Sequence, residues 1–213
     1  MQNLIIIGAA NPTIIRIIED INKFAIHSKD KYKIIGFLDN NCHKIGAFFF
    51  GLPVLGDFSA IEKFLPQDVV LINTIAGSIN SRIETTEYFT KKKYFFTNII
   101  HPSVNMTHVD IGFGNLIYEN ATIHPFVTLG NYSIISSNSG IAHESKIGDY
   151  CFVGPRSYIC GRVSILNRVY VGAGAVILPS VLVGDGSIIG ACSLVRKNVN
   201  KGARVFGIPA RQQ

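Results

Sequence analysis

The chain has no tryptophan, only two methionines and few charges: 16% of its 213 residues are Asp, Glu, Lys or Arg. A chain of this length can bury a core as one domain or as two small ones. The formal net charge is +6, yet the basic residues are scattered apart from the run Lys91, Lys92, Lys93. No basic stripe with interleaved aromatics is present, which argues against nucleic acid as a partner. The mild positive field instead favours anionic ligands, such as coenzyme A or a nucleotide diphosphate. The four cysteines, Cys42, Cys151, Cys160 and Cys192, have no metal-ligand spacing. Reduced thiols, no metal and a cytoplasmic location are therefore expected. The first residues run straight into an apolar strand without a basic leader, and no stretch reaches the ~18 apolar residues of a spanning helix. No membrane partner is expected.

What the sequence does contain is a clock of six. Ile111, Ile117, Ile123, Leu129, Ile135, Ile141, Ile147, Val153, Ile159, Ile165, Val171, Ile177, Val183, Ile189 and Val195 share one phase. A second column runs four places later, from Asn115 through Ser133, Cys151 and Val163 to Val199, and all but Asn115 are small or β-branched. A period of six suits neither a helix at 3.6 nor a lone strand at 2. It suits a coil of three short strands and three tight turns, with both columns facing a narrow triangular core. Residues eighteen apart then stack, one coil above another. This predicts a left-handed parallel β-helix of about five coils, roughly 24 Å tall at the usual strand spacing. An ordinary β-sandwich would not keep such a clock.

Residues 1–100 read differently. Leu4 to Ile7 is an apolar strand ended by Gly8. Asn11-Pro12 reads as helix N-cap and first helical residue, followed by the stripe Ile14, Ile15, Ile17, Ile18, Ile21 and Phe24. Tyr32 to Leu38 is a second strand, ended by Asp39-Asn40. A short helix is expected over Phe58 to Phe64, a strand over Asp68 to Ile72, a helix over Ile79 to Phe89 and a short strand over Tyr94 to Thr97. The expectation is an α/β, Rossmann-like domain over residues 1–100, then the all-β helix over 101–213, with the boundary near Ile99 to Pro102. A dinucleotide fingerprint would need glycines at Gly8, Ala10 and Thr13, and only the first is present. That disfavours NAD. The strand, turn and helix start still offer N–H groups to a phosphate. Asp39 stands where such folds hold a ribose or sugar hydroxyl, or it is a turn carboxylate.

On the repeat, His143-Glu144 falls two places into the hexad of Ile141, at a turn, where side chains point outward. Gly161 lies eighteen residues later and should stack one coil above His143, leaving bare backbone beside an imidazole. Pro125 lies one coil below. His101, His108 and His124 lack this setting and read as solvated. An imidazole, with its ordinary pKa near ~6.5, suits a general base at neutral pH, and an adjacent carboxylate orients it. Such a pair suits removal of a proton from an amine or hydroxyl that attacks a thioester. Ala173 and Ala191, again eighteen apart, make a smooth column that fits either tight turns or a pantetheine groove.

The βαβ start, His101-Pro102-Ser103, His143-Glu144, Ile147-Gly148-Asp149 and the terminal Gly207-Ile208-Pro209-Ala210-Arg211 together resemble the NeuD/PglD-type sugar acetyltransferases, over essentially the whole chain. The resemblance implies a homotrimer with acetyl-CoA between adjacent prisms. It implies acetylation of the 4-amino group of a nucleotide-linked amino sugar, or of a sialic acid hydroxyl. It places the base at His143 and its tuning acid at Glu144. Acetyl-CoA contacts fall on Phe152, Gly161, Ala173 and Ala191, and sugar-nucleotide contacts on Ala10, Asn11, Pro12, Asp39, Asn40, Asn73 and Thr74. Two positions depart from the pattern. Phe152 stands where many members have a histidine, and Gly8-Ala9-Ala10-Asn11-Pro12 replaces their glycine-rich first turn, with a proline that removes an N–H donor. An N-acetyltransferase is the leading reading. A sugar O-acetyltransferase and a non-catalytic sugar-nucleotide-binding scaffold are the alternatives.

Overall fold

The computed structural model describes residues 1–213 and divides into two compact units, Met1–Ile99 and Ile100–Gln213. The first unit is built on a six-stranded sheet. Its elements are β1 (Gln2–Ile7), α1 (Thr13–Phe24), β2 (Tyr32–Leu38), β3 (Phe48–Phe49), β4 (Leu52–Gly56), β5 (Val70–Asn73), α2 (Ile79–Lys91) and β6 (Phe95–Phe96). The sheet order is β3-β4-β2-β1-β5-β6, and all neighbours are parallel except the hairpin β3–β4. Leu4 to Ile7 are fully buried, as an apolar run in a central parallel strand must be. A 3₁₀ turn over Phe58–Lys63 follows β4, where a short helix was expected, and Asp57 caps it by accepting from Ser59 N–H.

Three local expectations shift. Helix α1 begins at Thr13, one residue late, because Pro12 itself takes the cap position and the Asn11 Oδ1 accepts the Thr13 N–H at 2.9 Å. Its buried stripe is Ile14, Ile17 and Ile18, while Phe24 is exposed. The pair β3–β4 was not anticipated. It is a hairpin whose two loop residues, Phe50 and Gly51, have φ of 52° and 78°. Turns with positive φ at both positions normally announce themselves by Asn-Gly or Asp-Gly, and here a phenylalanine stands first.

The second unit is a prism with three faces of parallel two-residue strands. The first face stacks Thr122–Ile123, Gly140–Ile141, Tyr158–Ile159, Val176–Ile177 and Leu194–Val195. The second stacks Asp110–Ile111, Thr128–Leu129, Lys146–Ile147, Ser164–Ile165 and Leu182–Val183. The third stacks Leu116–Ile117, Ile134–Ile135, Phe152–Val153, Tyr170–Val171, Ile188–Ile189 and Arg204–Phe206. Up to the last coil, partners within each face are eighteen residues apart, as Ile123↔Ile141 and Ile141↔Ile159 illustrate. The hexapeptide repeat and the all-parallel faces fit a left-handed β-helix. The chain visits the first face, then the second, then the third in every coil.

Both inward columns are buried, apart from the partly exposed Ile111 that opens the first. Asn115, the polar member of the small column, is accommodated because its side chain donates to Gly130 O and accepts from Ser133 N–H. The clock fails only at the end. Val199 bridges Val183, sixteen residues away, and Ile189 pairs Val205 at the same spacing. Val199 therefore stands in the aliphatic column rather than the small one, because the last coil is two residues short. The terminal segment then turns back, with Arg211–Gln212 antiparallel to Arg204–Phe206.

Candidate functional site

At each edge of the prism the backbone turns through a left-handed residue. On the edge between the first and second faces these are His108, Phe126, Glu144, Arg162 and Ser180, with φ from 59° to 64°. His143 precedes one of them. Its side chain is half-exposed, and its carbonyl accepts the Arg162 N–H at 3.0 Å, which locks the edge to the coil above. The coil below contributes Pro125, whose carbonyl faces the Glu144 N–H at 3.4 Å.

His143 Nδ1 lies 2.9 Å from Glu144 Oε2. The Glu144 carboxyl is held below its ordinary range, first by this bond and then by Arg162, whose Nε is 3.1 Å from the same oxygen. An ionised carboxylate can only accept, so the proton of a neutral imidazole resides on Nδ1 and the lone pair on Nε2. Gly161 is the residue over that nitrogen. A Cβ added there would lie 2.8 Å from Nε2 and 2.9 Å from Cε1. The glycine thus leaves the basic nitrogen uncovered, and this passage is what an acetyl donor would need beside His143. Arg162 was not singled out from the sequence. The step of eighteen that carries His143 to Gly161 carries Glu144 to Arg162, and it was the available signal.

The other expected donor contacts lie elsewhere on the prism. Ala173 and Ala191 stack at the edge between the third and first faces, joined by the Cys192 N–H to Ala173 carbonyl bond at 2.8 Å. Phe152 lies on the third face, its ring stacked on Tyr170 at 4.8 Å and 11°. Within one chain, then, His143 and Gly161 share an edge, while Ala173 and Ala191 share the next edge across the first face. Tyr158 lies on that first face between the two edges, half-exposed, packed over Gly140.

The first unit holds a cleft of about 650 Å³. The parallel strands β1, β2 and β5 deliver Gly8, Asp39-Asn40 and Ile75 to one rim. Ser81, Glu84, Thr85 and Tyr88, at one-face spacing on α2, form another, and Phe58 packs beside Tyr88 at 6.2 Å. Asp39 is bound to the protein itself. Its Oδ2 accepts from Ala9 N–H and Lys44 Nζ, and its Oδ1 from Asn41 N–H. Burial opposes its ionisation, but the Lys44 and backbone bonds outweigh this and hold the carboxyl low. Asn40 also bonds inward, accepting the Phe58 N–H. Asn73 and Thr74 are buried behind the rim. Asn73 bonds Arg82 O, Thr86 Oγ1 and Ile75 N–H, and Thr74 Oγ1 bonds Ile7 O and Gly8 O. Ala10, Asn11 and Pro12 lie on the turn into α1, outside the residues that line the cleft.

No three His, Cys, Asp or Glu side chains converge as a metal site, and no helix is long and apolar enough to cross a membrane. Over part of the chain, the six-residue repeat of the prism matches that of a known family. That family's pattern, "Bacterial transferase hexapeptide (six repeats)", matches residues 144–179 and 162–197. A Bacillus subtilis protein named as an acetyltransferase, YvoF, is 40% identical over 86 residues, or 40% of this chain and 45% of that one. The chain spans about half the length of the curated relatives it matches. The chain is similar in fold to a point variant of perosamine N-acetyltransferase from Caulobacter crescentus, solved in complex with CoA and GDP-perosamine. That structure aligns with a TM-score of 0.86 at 23% identity, covering 100% of this chain and 97% of the other. The acetyltransferase domain of PglB from Neisseria gonorrhoeae, in complex with acetyl coenzyme A, aligns with a TM-score of 0.84 at 21% identity, covering 100% and 99%.

Proposed function

We propose that the chain is an acetyl-CoA-dependent N-acetyltransferase acting on the amino group, in the 4-position, of a nucleotide-linked amino deoxysugar. The observation that carries the reading is the His143–Glu144 pair with Nε2 left open beneath Gly161. Bound acetyl-CoA supplies the thioester carbonyl. As the amine attacks that carbonyl, His143 Nε2 accepts the proton it loses, and the Glu144 charge balances the imidazolium so formed; the C–S bond then breaks, and coenzyme A leaves as the thiol with a proton returned from the imidazolium. Gly161 leaves room for the donor at the imidazole, and Ala173 and Ala191 offer a smooth edge for a pantetheine chain. The sugar-nucleotide partner named with the Caulobacter structure, and the CoA in both solved structures, support this substrate class.

The first unit fits the role of a Rossmann-like sugar-nucleotide domain. Its cleft opens at the carboxyl ends of the parallel strands β1, β2 and β5, the usual place for ligands in open α/β sheets. Asp39 and Asn40 line its rim. Ala10, Asn11 and Pro12 border the same turn, while Asn73 and Thr74 shape the rim from behind. Acetyl-CoA contacts divided between two edges and Phe152 suggest a homotrimer, in which one prism's His143 edge faces a neighbour's Ala173 edge.

The test is thiol release from acetyl-CoA with a panel of nucleotide-linked amino sugars, alongside the same sugars bearing a hydroxyl in place of the amine. Turnover with amino sugars alone is expected. Turnover with the hydroxyl series alone would establish O-acetylation instead, and no turnover with either would overturn the catalytic reading.

A further inference from the structure

We propose that Arg162 is a positioning residue, which acts on His143 by holding and sharing the Glu144 carboxylate. This rests on the reading of His143 as the base. Glu144 is a flexible side chain on an open edge, and a single exposed ion pair restrains such a chain weakly. Arg162 supplies a second restraint from the coil above. Its backbone N–H is bonded to His143 O and its Nε to Glu144 Oε2, so the three residues close a ring across two coils. Glu144 and Arg162 have φ of 59° and 60°, so their side chains leave the edge in the same direction. The oxygen that Arg162 takes is the one bonded to His143 Nδ1. A guanidinium stays charged throughout the working range, so it draws permanently on the carboxylate that would otherwise stabilise imidazolium.

The surroundings leave this arrangement uncomplicated. Pro125 and Phe126 on the coil below Glu144 and Ser180 on the coil above Arg162 bring no charge. The other ionisable groups nearby are His108, which stacks on the far side of Phe126, His124, Cys160, whose thiol is pushed up by burial, and the exposed Lys146 two residues beyond Glu144. Removing Arg162 therefore leaves the full carboxylate charge to the imidazole. Removing Glu144 takes that charge away altogether.

The experiment follows the His143 ring by NMR in histidine-labelled full-length protein, as wild type, Arg162→Gln, Arg162→Lys, Glu144→Gln and the Arg162→Gln/Glu144→Gln pair. Arg162→Gln should raise the titration midpoint by on the order of half a pH unit at low salt, and Glu144→Gln should lower it. The paired variant should follow Glu144→Gln alone, because the arginine acts through the carboxylate. Arg162→Lys should restore the wild-type midpoint in part. In the transfer assay the acidic limb of kcat/KM should move in the same directions. An unchanged midpoint in Arg162→Gln, or an Arg162 effect that persists undiminished without Glu144, would overturn the proposal. These spectra do not depend on turnover. If the midpoints move as expected while His143→Ala keeps full activity, it is the assignment of His143 as base that fails, and the rank of Arg162 as a positioning residue for it fails too.

Discussion

A carboxylate cannot donate a hydrogen bond, so the contact between Glu144 and His143 decides which nitrogen of a neutral imidazole carries the free lone pair. His143→Ala should lower kcat by ~10² to 10⁴ near neutral pH, the usual span for a general base, with acetyl-CoA affinity little changed. Stopped-flow or steady-state kinetics across pH would check it, and an acidic limb that survives in the variant would identify the acceptor amine as the titrating group. Asp39 is a residue of another kind. Its carboxylate fastens the turn after β1 through Ala9, and its folded pKa lies below the ordinary 3.8. Its stabilising effect is therefore complete well above that value and disappears as the pH falls through the lowered folded value. Asp39→Asn should cost about 1 kcal/mol at pH 7, and the difference from wild type should close as the pH falls below 3.8, read from urea midpoints at each pH. A difference constant with pH would show that shape, not charge, is what the turn requires.

At the scale of the element, the coil is the unit that makes neighbours of residues eighteen apart. Gly161→Leu would put a branched side chain against the His143 ring, where even a Cβ would come within 2.8 Å of Nε2. We expect a higher KM for acetyl-CoA, by tenfold or so, in a protein whose association state and melting point stay near wild type. Donor kinetics that do not change in the folded variant would move the groove elsewhere. The coils were legible in the sequence because six-residue spacing has few physical realisations, and every aliphatic position from Ile117 to Val195 does face the core. The hairpin β3–β4 was not, since Pro53 and a Phe50-Gly51 loop imitate irregular chain. Nor was the pairing of Asp39 with Ala9, which depends on how closely two parallel strand ends approach, a distance no spacing along the chain encodes. Tyr118, which directly follows the inward-facing Ile117, is buried too, and burial pushes its phenol up to about 12.

For the molecule as a whole, the outward aromatics matter more. Phe126 is 69% exposed and Tyr158 42% exposed, a costly arrangement for a chain that stays single. Closed threefold association would cover such surface, and light scattering at micromolar concentration should return about 70 kDa, three times the chain mass of 23.3 kDa. A mass of one chain would refute the trimer and leave Ala173 and Ala191 without a part in the site. The site itself was legible only to the extent that it lies along a single edge: His143, Glu144 and Gly161 follow from counting, whereas the separation of Phe152 and the two alanines onto other parts of the prism required the order in which the chain visits its faces.

The coil that ends two residues early bears on growth. A stack whose top layer repeated the layer beneath would offer three fresh rows of amide and carbonyl groups to any further strand, which is how fibrils lengthen. Here the slip at Val199 spoils the register of the uppermost layer, Arg196, Lys197 and Lys201 bring charge to it, and Arg211–Gln212 runs against the direction of every strand below. A newcomer in register with the lower coils would find no matching template. The irregularity gives a periodic object a definite length.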